Sequence, residues 1–306
     1  MTDESKTKDV YHVLLFYKFV RIDDPDSVVN AHEEFCRTNN LRGRILLAPE
    51  GINGTVSGTA ADCMRYEHWL RSDSRFADIV IKSDEVSGHV FRKLFVRKKE
   101  EVVTFRIGHD LTPEAPVGRH ISPAEWKSLL ERGDVLVLDG RTGYEYDLGH
   151  FRGALRPPVD SFREFPEWIR ANLADKKDKT ILTYCTGGIR CEKLTNFLLE
   201  EGFNDVGQLD GGIVTYGKDP ETRGALWDGL CYVFDERISV PINATEDRRI
   251  VGTCYHCGTP TETYVNCANL DCHRQHLVCT SCDISTDRSC SEACRTAPRR
   301  EQFVRN

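Results

Sequence analysis

The segment "KTILTYCTGGIRCEK", Lys179 to Lys193, constrains the fold of this chain more than any other. Its mostly apolar run, Ile181 to Tyr184 with Thr183 inside it, reads as a strand buried on both faces, and such strands belong to parallel sheets with helical crossovers. A glycine bend follows. Then comes helical spacing, with Leu194, Phe197 and Leu198 on one side and Gly202 placed to end the helix. Strand, bend and helix together imply an α/β layer, and ligands in open parallel sheets gather at the carboxyl ends of the strands. Cys185 leaves the strand at that end.

The residues around Cys185 favour its thiolate. Thr186, Gly187, Gly188 and Ile189 form the loop, whose glycines let successive N–H groups turn inward as an anion-binding nest. The following helix presents its positive end to the same point, and Arg190 adds a fixed charge. Cys185 is therefore expected to have a lowered pKa and to be a nucleophile. A buried structural cysteine would need none of these devices.

The rest of the chain divides around this layer. Its 306 residues suit two or three domains. Residues 1–106 read as β-α-β-β-α-β, a ferredoxin-like α+β domain, with Thr59 as an N-cap and Cys36 and Cys63 as buried small residues. Residues 107–118, rich in proline and glycine, read as a linker. Residues 119–225 hold the parallel-sheet domain, opening on a capping box at Ser122, Pro123 and Glu125. Residues 226–306 form a cysteine-rich tail.

The tail carries eight of the thirteen cysteines as four close pairs: Cys254 and Cys257, Cys267 and Cys272, Cys279 and Cys282, Cys290 and Cys294. The start, "MTDESKTKDV", lacks the apolar run of a signal peptide, so a cytoplasmic chain with reduced thiols is expected. Eight thiolates would fill two closed tetrahedral sites, which predicts two structural zinc ions. Alternate and sequential pairings are both open, and His256, His273 or His276 could replace a cysteine. Cys231 has no evident role.

The net charge of −7 argues against bulk nucleic-acid binding, so local patches matter more. "FRKLFVRKKE" and the C-terminal "RTAPRREQFVRN" are basic; each reads either as a solvated surface or as a grip on phosphate. Lys93, Arg97 and Lys99 would share one strand face. No organic cofactor motif and no membrane span are evident.

"LVLDGRTGYEYDLGHFRGAL", "CTGGIR" and "LDGGIVTYG" together resemble the rhodanese domain, from about Ile121 to Lys218. The resemblance makes Cys185 the essential cysteine and Arg190 its anion partner. It places Asp139, Arg141, Glu145, His150 and Gly153 at the positions of that family's first motif, and Asp139 and Arg141 are expected to brace the loop. Phosphatase relatives of that fold have one more residue between cysteine and arginine, so phosphatase chemistry is disfavoured.

The whole chain, from "APEGINGTVSG" through "CTGGIRCEK" to the tail, resembles the rhodanese-type tRNA uridine hydroxylases. That resemblance implies molecular oxygen as co-substrate, C5-hydroxylation of the wobble uridine, the tRNA anticodon loop as partner and an unidentified electron donor. Tyr144, Tyr146 or Phe151 could stack on a splayed base. Cys191, six residues after Cys185, is expected either as a resolving thiol or as packing. A sulfurtransferase carrying persulfide on Cys185 and a non-catalytic binding module are the alternative readings.

Overall fold

Alternating side chains build the first sheet. In the computed structural model, which describes residues 10–272 and 274–302, β1 (Tyr11–Phe19) buries Val13, Leu14 and Phe16. Helix α1 (Pro25–Thr38) starts at Asp24, whose carboxylate accepts from the Ser27 N–H at 3.2 Å. β2 (Arg42–Ala48) and β3 (Gly51–Thr59) follow, then α2 (Ala60–Ser72), capped by Thr59 as expected, with the Asp62 N–H donating at 3.2 Å. β4 (Ile81–Val86) and β5 (Leu94–Lys98) complete the set.

The sheet order is β4-β1-β3-β2-β5. The first four strands are antiparallel neighbours, the ferredoxin-like arrangement, and β5 joins β2 in parallel as an added edge. The helices bury Val28, Cys36, Cys63, Tyr66 and Leu70 against Phe16, Ile45, Ile52 and Val56. Gly54 lies opposite Phe16, and a Cβ there would run into the Phe16 ring. β5 ends at Lys98, and the chain leaves the sheet there. The buried Glu50 carboxylate accepts the Val102 N–H at 2.8 Å and the Leu111 N–H at 3.2 Å. Leu111 is buried, so part of the expected linker is pinned to this unit, and the boundary between the two compact units falls between Val117 and Gly118.

The second unit is built on the parallel sheet. Its elements run β6 (Arg119–Ile121), α3 (Pro123–Arg132), β7 (Leu136–Asp139), α4 (Gly143–Leu148), β8 (Gly149–Phe151), α5 (Phe165–Asn172), β9 (Thr180–Tyr184), α6 (Ile189–Glu200), β10 (Asp205–Leu209) and α7 (Gly212–Lys218). Strands β6, β10, β9 and β7 are hydrogen-bonded in that order and all parallel. The core gathers Trp126, Phe151, Tyr184, Tyr216 and Trp227.

The tail begins inside this unit. β11 (Trp227–Tyr232) pairs antiparallel with β8, placing Trp227 opposite Phe151, and with β12 (Ser239–Pro241). β13 (Tyr264–Asn266) and β14 (Gln275–Leu277) form a two-stranded ribbon, followed by α8 (Thr280–Ser285) and α9 (Glu292–Arg295). Among the described residues no helix is long and apolar enough to cross a membrane.

Candidate active site and metal centres

Cys185 follows the last residue of β9, and α6 starts four residues later. Gly188 adopts φ 108°, a value only glycine takes without strain, and this turns its N–H onto the Cys185 Sγ at 3.2 Å. The loop is braced from behind by the Gly211–Gly212 turn. The Ile213 N–H donates to the Cys185 carbonyl at 3.0 Å and the Val214 N–H to the Thr186 carbonyl at 3.1 Å. A Cβ on Gly212 would come within 2.6 Å of the Cys185 carbonyl oxygen.

Cys185 is 1 % exposed. Burial alone would raise its pKa. The Cys191 thiol, the Arg190 charge and the N–H groups of Gly188 and Cys191 outweigh burial and hold the Cys185 thiol well below its ordinary range. Cys191, fully buried on the first turn of α6, donates its thiol proton to Cys185. Burial, and then the neighbouring thiolate, push Cys191 well up.

Arg190 does not face Cys185 alone. Its guanidinium forks onto the Glu145 carboxylate at 2.7 and 2.8 Å and reaches the Thr186 hydroxyl at 3.3 Å. Glu145 is also the reciprocal member of a capping box with Thr142 at the start of α4. Burial would raise its carboxyl, but Arg190 brings it down to about 2. Asp139, the last residue of β7, binds Arg141 through Nε at 2.9 Å and Nη2 at 2.7 Å and accepts the Tyr184 hydroxyl at 2.5 Å. This pair is fully buried and ties β7 to β9 beneath the loop.

The tail cysteines form two separate groups. Cys254, Cys257, Cys279 and Cys282 make one, and Cys267, Cys272, Cys290 and Cys294 the other; within each, all four sulfurs lie within 4.8 Å of one another. The Sγ–Sγ separations are 3.6 Å for Cys257–Cys279, 3.7 Å for Cys272–Cys290 and 3.8 Å for Cys290–Cys294. A disulfide needs about 2.05 Å. Zinc–sulfur bonds of about 2.3 Å in a tetrahedron set edges of about 3.8 Å. Both groups therefore fit a metal ion held by four thiolates, compatible with structural zinc. First pairs with third and second with fourth, so the alternate, cross-braced pairing is the one taken. Neither His256 nor His276 joins a group, and His273 lies outside the described residues.

Comparison with known proteins finds three matching domains. Residues 11–102 match the UPF0176 acylphosphatase like domain, residues 122–219 the rhodanese-like domain and residues 228–295 the rhodanese C-terminal domain. The chain is 52 % identical over 289 residues to the tRNA uridine(34) hydroxylase of Bacillus velezensis, covering 94 % of this chain and 89 % of that protein. The chain belongs to the tRNA uridine(34) hydroxylase family. Other members are the proteins of the same name from Bacillus licheniformis, 53 % identical over 95 % of this chain and 90 % of that one, and Staphylococcus carnosus, 54 % over 88 % and 84 %.

Within this family member, Cys185, Thr186, Gly187, Gly188, Ile189, Arg190 and Cys191 share the loop and first turn of α6, with Asp139 and Arg141 beneath. Lys93, Arg97 and Lys99 belong to the first unit, on and beside edge strand β5, and all three are exposed. Arg97 lies over the ring of Phe95, which is 44 % exposed. Of the three candidate stacking rings, Phe151 is fully buried among Tyr184, Tyr216 and Trp227 and is packing. Tyr146 is stacked on His150 at 3.9 Å, and Tyr144 is half-buried against Tyr232.

Two residues at the site carried no sequence signal. Phe234, 55 % exposed, lies over the Arg190 guanidinium at 5.8 Å. Cys231 is fully buried, with its thiol hydrogen-bonded to the Thr186 hydroxyl of the loop. Both follow from β11 folding back beside β8, a long-range pairing that no local pattern announces.

Proposed function

We propose that this chain is a cytoplasmic, oxygen-dependent enzyme that converts the wobble uridine of tRNA, position 34, to 5-hydroxyuridine. One observation carries the reading: a thiol held well below its ordinary pKa stands in an intact loop, in a chain about half identical over nearly its whole length to tRNA uridine(34) hydroxylases.

The chemistry follows from the thiolate. Uracil C5 is inert toward dioxygen. Addition of the Cys185 thiolate at C6 makes C5 carbanionic, and C5 then takes up dioxygen and a proton as a hydroperoxide. The Cys191 sulfur takes the terminal peroxide oxygen, leaving a C5 hydroxyl and a sulfenic acid. Loss of the C5 proton expels Cys185, and Cys185 attacks the sulfenic acid to form a disulfide and water. The balance is uridine, dioxygen and two thiols to 5-hydroxyuridine, disulfide and water. An external dithiol reductant then restores the pair.

In this reading Arg190 steadies the charge that passes between sulfur and base, Glu145 fixes Arg190, and Asp139 with Arg141 braces the loop. Phe234 offers a stacking face for the uracil. Lys93, Arg97 and Lys99 hold tRNA phosphates. Each cysteine tetrad would hold one zinc ion, which would stiffen the tail.

The test is mass spectrometry of tRNA nucleosides. Unmodified tRNA is incubated with wild type or Cys185→Ala, in air and without oxygen. 5-Hydroxyuridine from wild type in air alone supports the reading. Thiocyanate from thiosulfate and cyanide, with no oxygenated uridine, would replace it with sulfur transfer.

A further inference from the structure

A cleft in the second unit lies outside the thiol loop. It encloses about 330 Å³, and Tyr144, Asp147, His150, Tyr255, Tyr264 and Gln275 are among its walls. It joins the parallel-sheet elements to the cysteine-rich tail: Tyr144 and Asp147 come from α4, Tyr264 and Gln275 from the β13–β14 ribbon, and Tyr255 from the loop between Cys254 and Cys257.

Its chemistry is that of a site for a planar, hydrogen-bonding ring. The walls supply aromatic faces: Tyr144 lies 6.2 Å from Tyr264, and Tyr255 5.6 Å from His276. Two polar atoms there have no hydrogen-bond partner among the described residues. These are the Tyr264 hydroxyl and the His276 Nε2, on residues 9 % and 6 % exposed. Both atoms are closed off from solvent behind the cleft wall, so the open cleft presents rings and the Gln275 amide rather than these two atoms. Gln275, exposed, adds an amide with both donor and acceptor.

The rim carries Arg274 and an Arg156–Asp147 ion pair. Arg274, exposed, lies over the Tyr255 ring at 5.3 Å and donates to its hydroxyl at 2.7 Å. Arg156 forks onto Asp147 at 2.7 and 2.8 Å. Aromatic walls, an amide and the Arg274 guanidinium at the mouth are a combination that takes single-stranded nucleic acid, with bases stacked on rings and a phosphate outside.

The cleft also leads to the thiol loop. Tyr144 is a wall of the cleft, and the next residue is Glu145, whose carboxylate holds Arg190. From Arg190 a run of rings returns to the cleft: Phe234 over the guanidinium, Tyr232 at 5.1 Å from Phe234, then Tyr144 and Tyr264, each 5.3 Å from Tyr232.

We propose that this cleft binds a second base of the RNA loop, a neighbour of the base presented to Cys185, and that Tyr255 is its stacking face. The proposal rests on the tRNA reading above and deepens it. The tail then contributes to substrate recognition, because the loop between two metal-binding cysteines carries that ring.

The experiment measures binding of a fluorescent anticodon stem-loop RNA to full-length protein by anisotropy, with metal content determined for every variant. Stacking on one aromatic side chain is worth about 1–3 kcal/mol, so Tyr255→Ala is expected to weaken binding about tenfold or more. Tyr255→Phe, which keeps the ring, is expected to bind within about threefold of wild type, and Gln275→Ala to weaken binding severalfold. Two metal ions retained in each variant exclude collapse of the tail. Tyr255→Ala and Gln275→Ala both binding as wild type would overturn the proposal, as would a wild type that does not bind the stem-loop at all. The two readings fail separately. A wild type that hydroxylates while Tyr255→Ala binds normally loses only the cleft. A wild type that binds through Tyr255 and makes no 5-hydroxyuridine loses only the hydroxylase.

Discussion

Arg190 and Glu145 meet as a bidentate ion pair, 2.7 and 2.8 Å, beside the Cys185 thiol that the loop holds below its ordinary pKa. The pair is buried, and burial makes it an all-or-nothing device: with both members present the charges offset, and with one missing the other is stranded. It also explains how a buried arginine can stand beside Cys185 without unfolding the loop.

Glu145→Gln is expected to cost about 3 kcal/mol of stability at neutral pH, since it strands Arg190. The sign of the pH dependence follows from the lowered carboxyl. Glu145 titrates at about 2 in the folded chain against an ordinary 4.5, so the ionised form stabilises the fold fully above pH 4.5 and the contribution is lost as pH falls toward 2. Denaturant titrations from pH 7 down to pH 2.5 are expected to show the gap between wild type and Glu145→Gln narrowing below pH 4.5. A gap constant over that range contradicts the pairing.

Cys191→Ser separates the two thiols. If Cys191 takes the peroxide oxygen, the variant loses multiple turnover while its fold persists, with a stability loss of about 1–2 kcal/mol for a buried hydroxyl in place of a thiol. Wild type trapped without reductant after turnover is expected to yield a Cys185–Cys191 disulfide in a peptide map. Full multiple turnover by Cys191→Ser would return Cys191 to packing.

Two metal ions per chain are expected by elemental analysis, with zinc the ion that fits. Cys267→Ser is expected to lose one and keep the other, because the tetrads share no ligand. A strong chelator is expected to lower thermal stability and expose the tail to protease while the first unit stays resistant. Loss of both ions in Cys267→Ser would show the two sites to fold as one.

The exposed cations on and beside β5 predict a salt signature. Lys93→Ala, Arg97→Ala and Lys99→Ala together are expected to raise KM for tRNA about tenfold with little change in kcat. The slope of log affinity against log salt should fall by about two to three, as three lost phosphate contacts require. An unchanged slope would make this face mere solvated surface.

How much of this was legible in the sequence depended on how local each feature is. The N-caps at Thr59 and Ser122, the buried strand before Cys185 and the helix after it are written in stretches of a few residues, and each appears where its pattern falls. The nest was legible for the same reason: glycines and a helix start define it within one loop. Residue spacing grouped the tail cysteines but left the pairing open, since cross-bracing is decided by how the β13–β14 ribbon brings distant pairs together. The counter-ion of Arg190 comes from 45 residues away, Phe234 and Cys231 arrive through a strand that pairs with β8, and Phe151 looked available only because its burial depends on Tyr184, Tyr216 and Trp227 closing around it.

The most direct test of the central claim follows the oxygen atom. Wild-type protein, unmodified tRNA and a dithiol reductant are incubated under 18O2 in ordinary water, and the nucleosides are analysed by mass spectrometry. The account predicts 5-hydroxyuridine carrying the heavy isotope, absent with Cys185→Ala. An unlabelled hydroxyl, drawn from water, or product formed equally by Cys185→Ala, would contradict it.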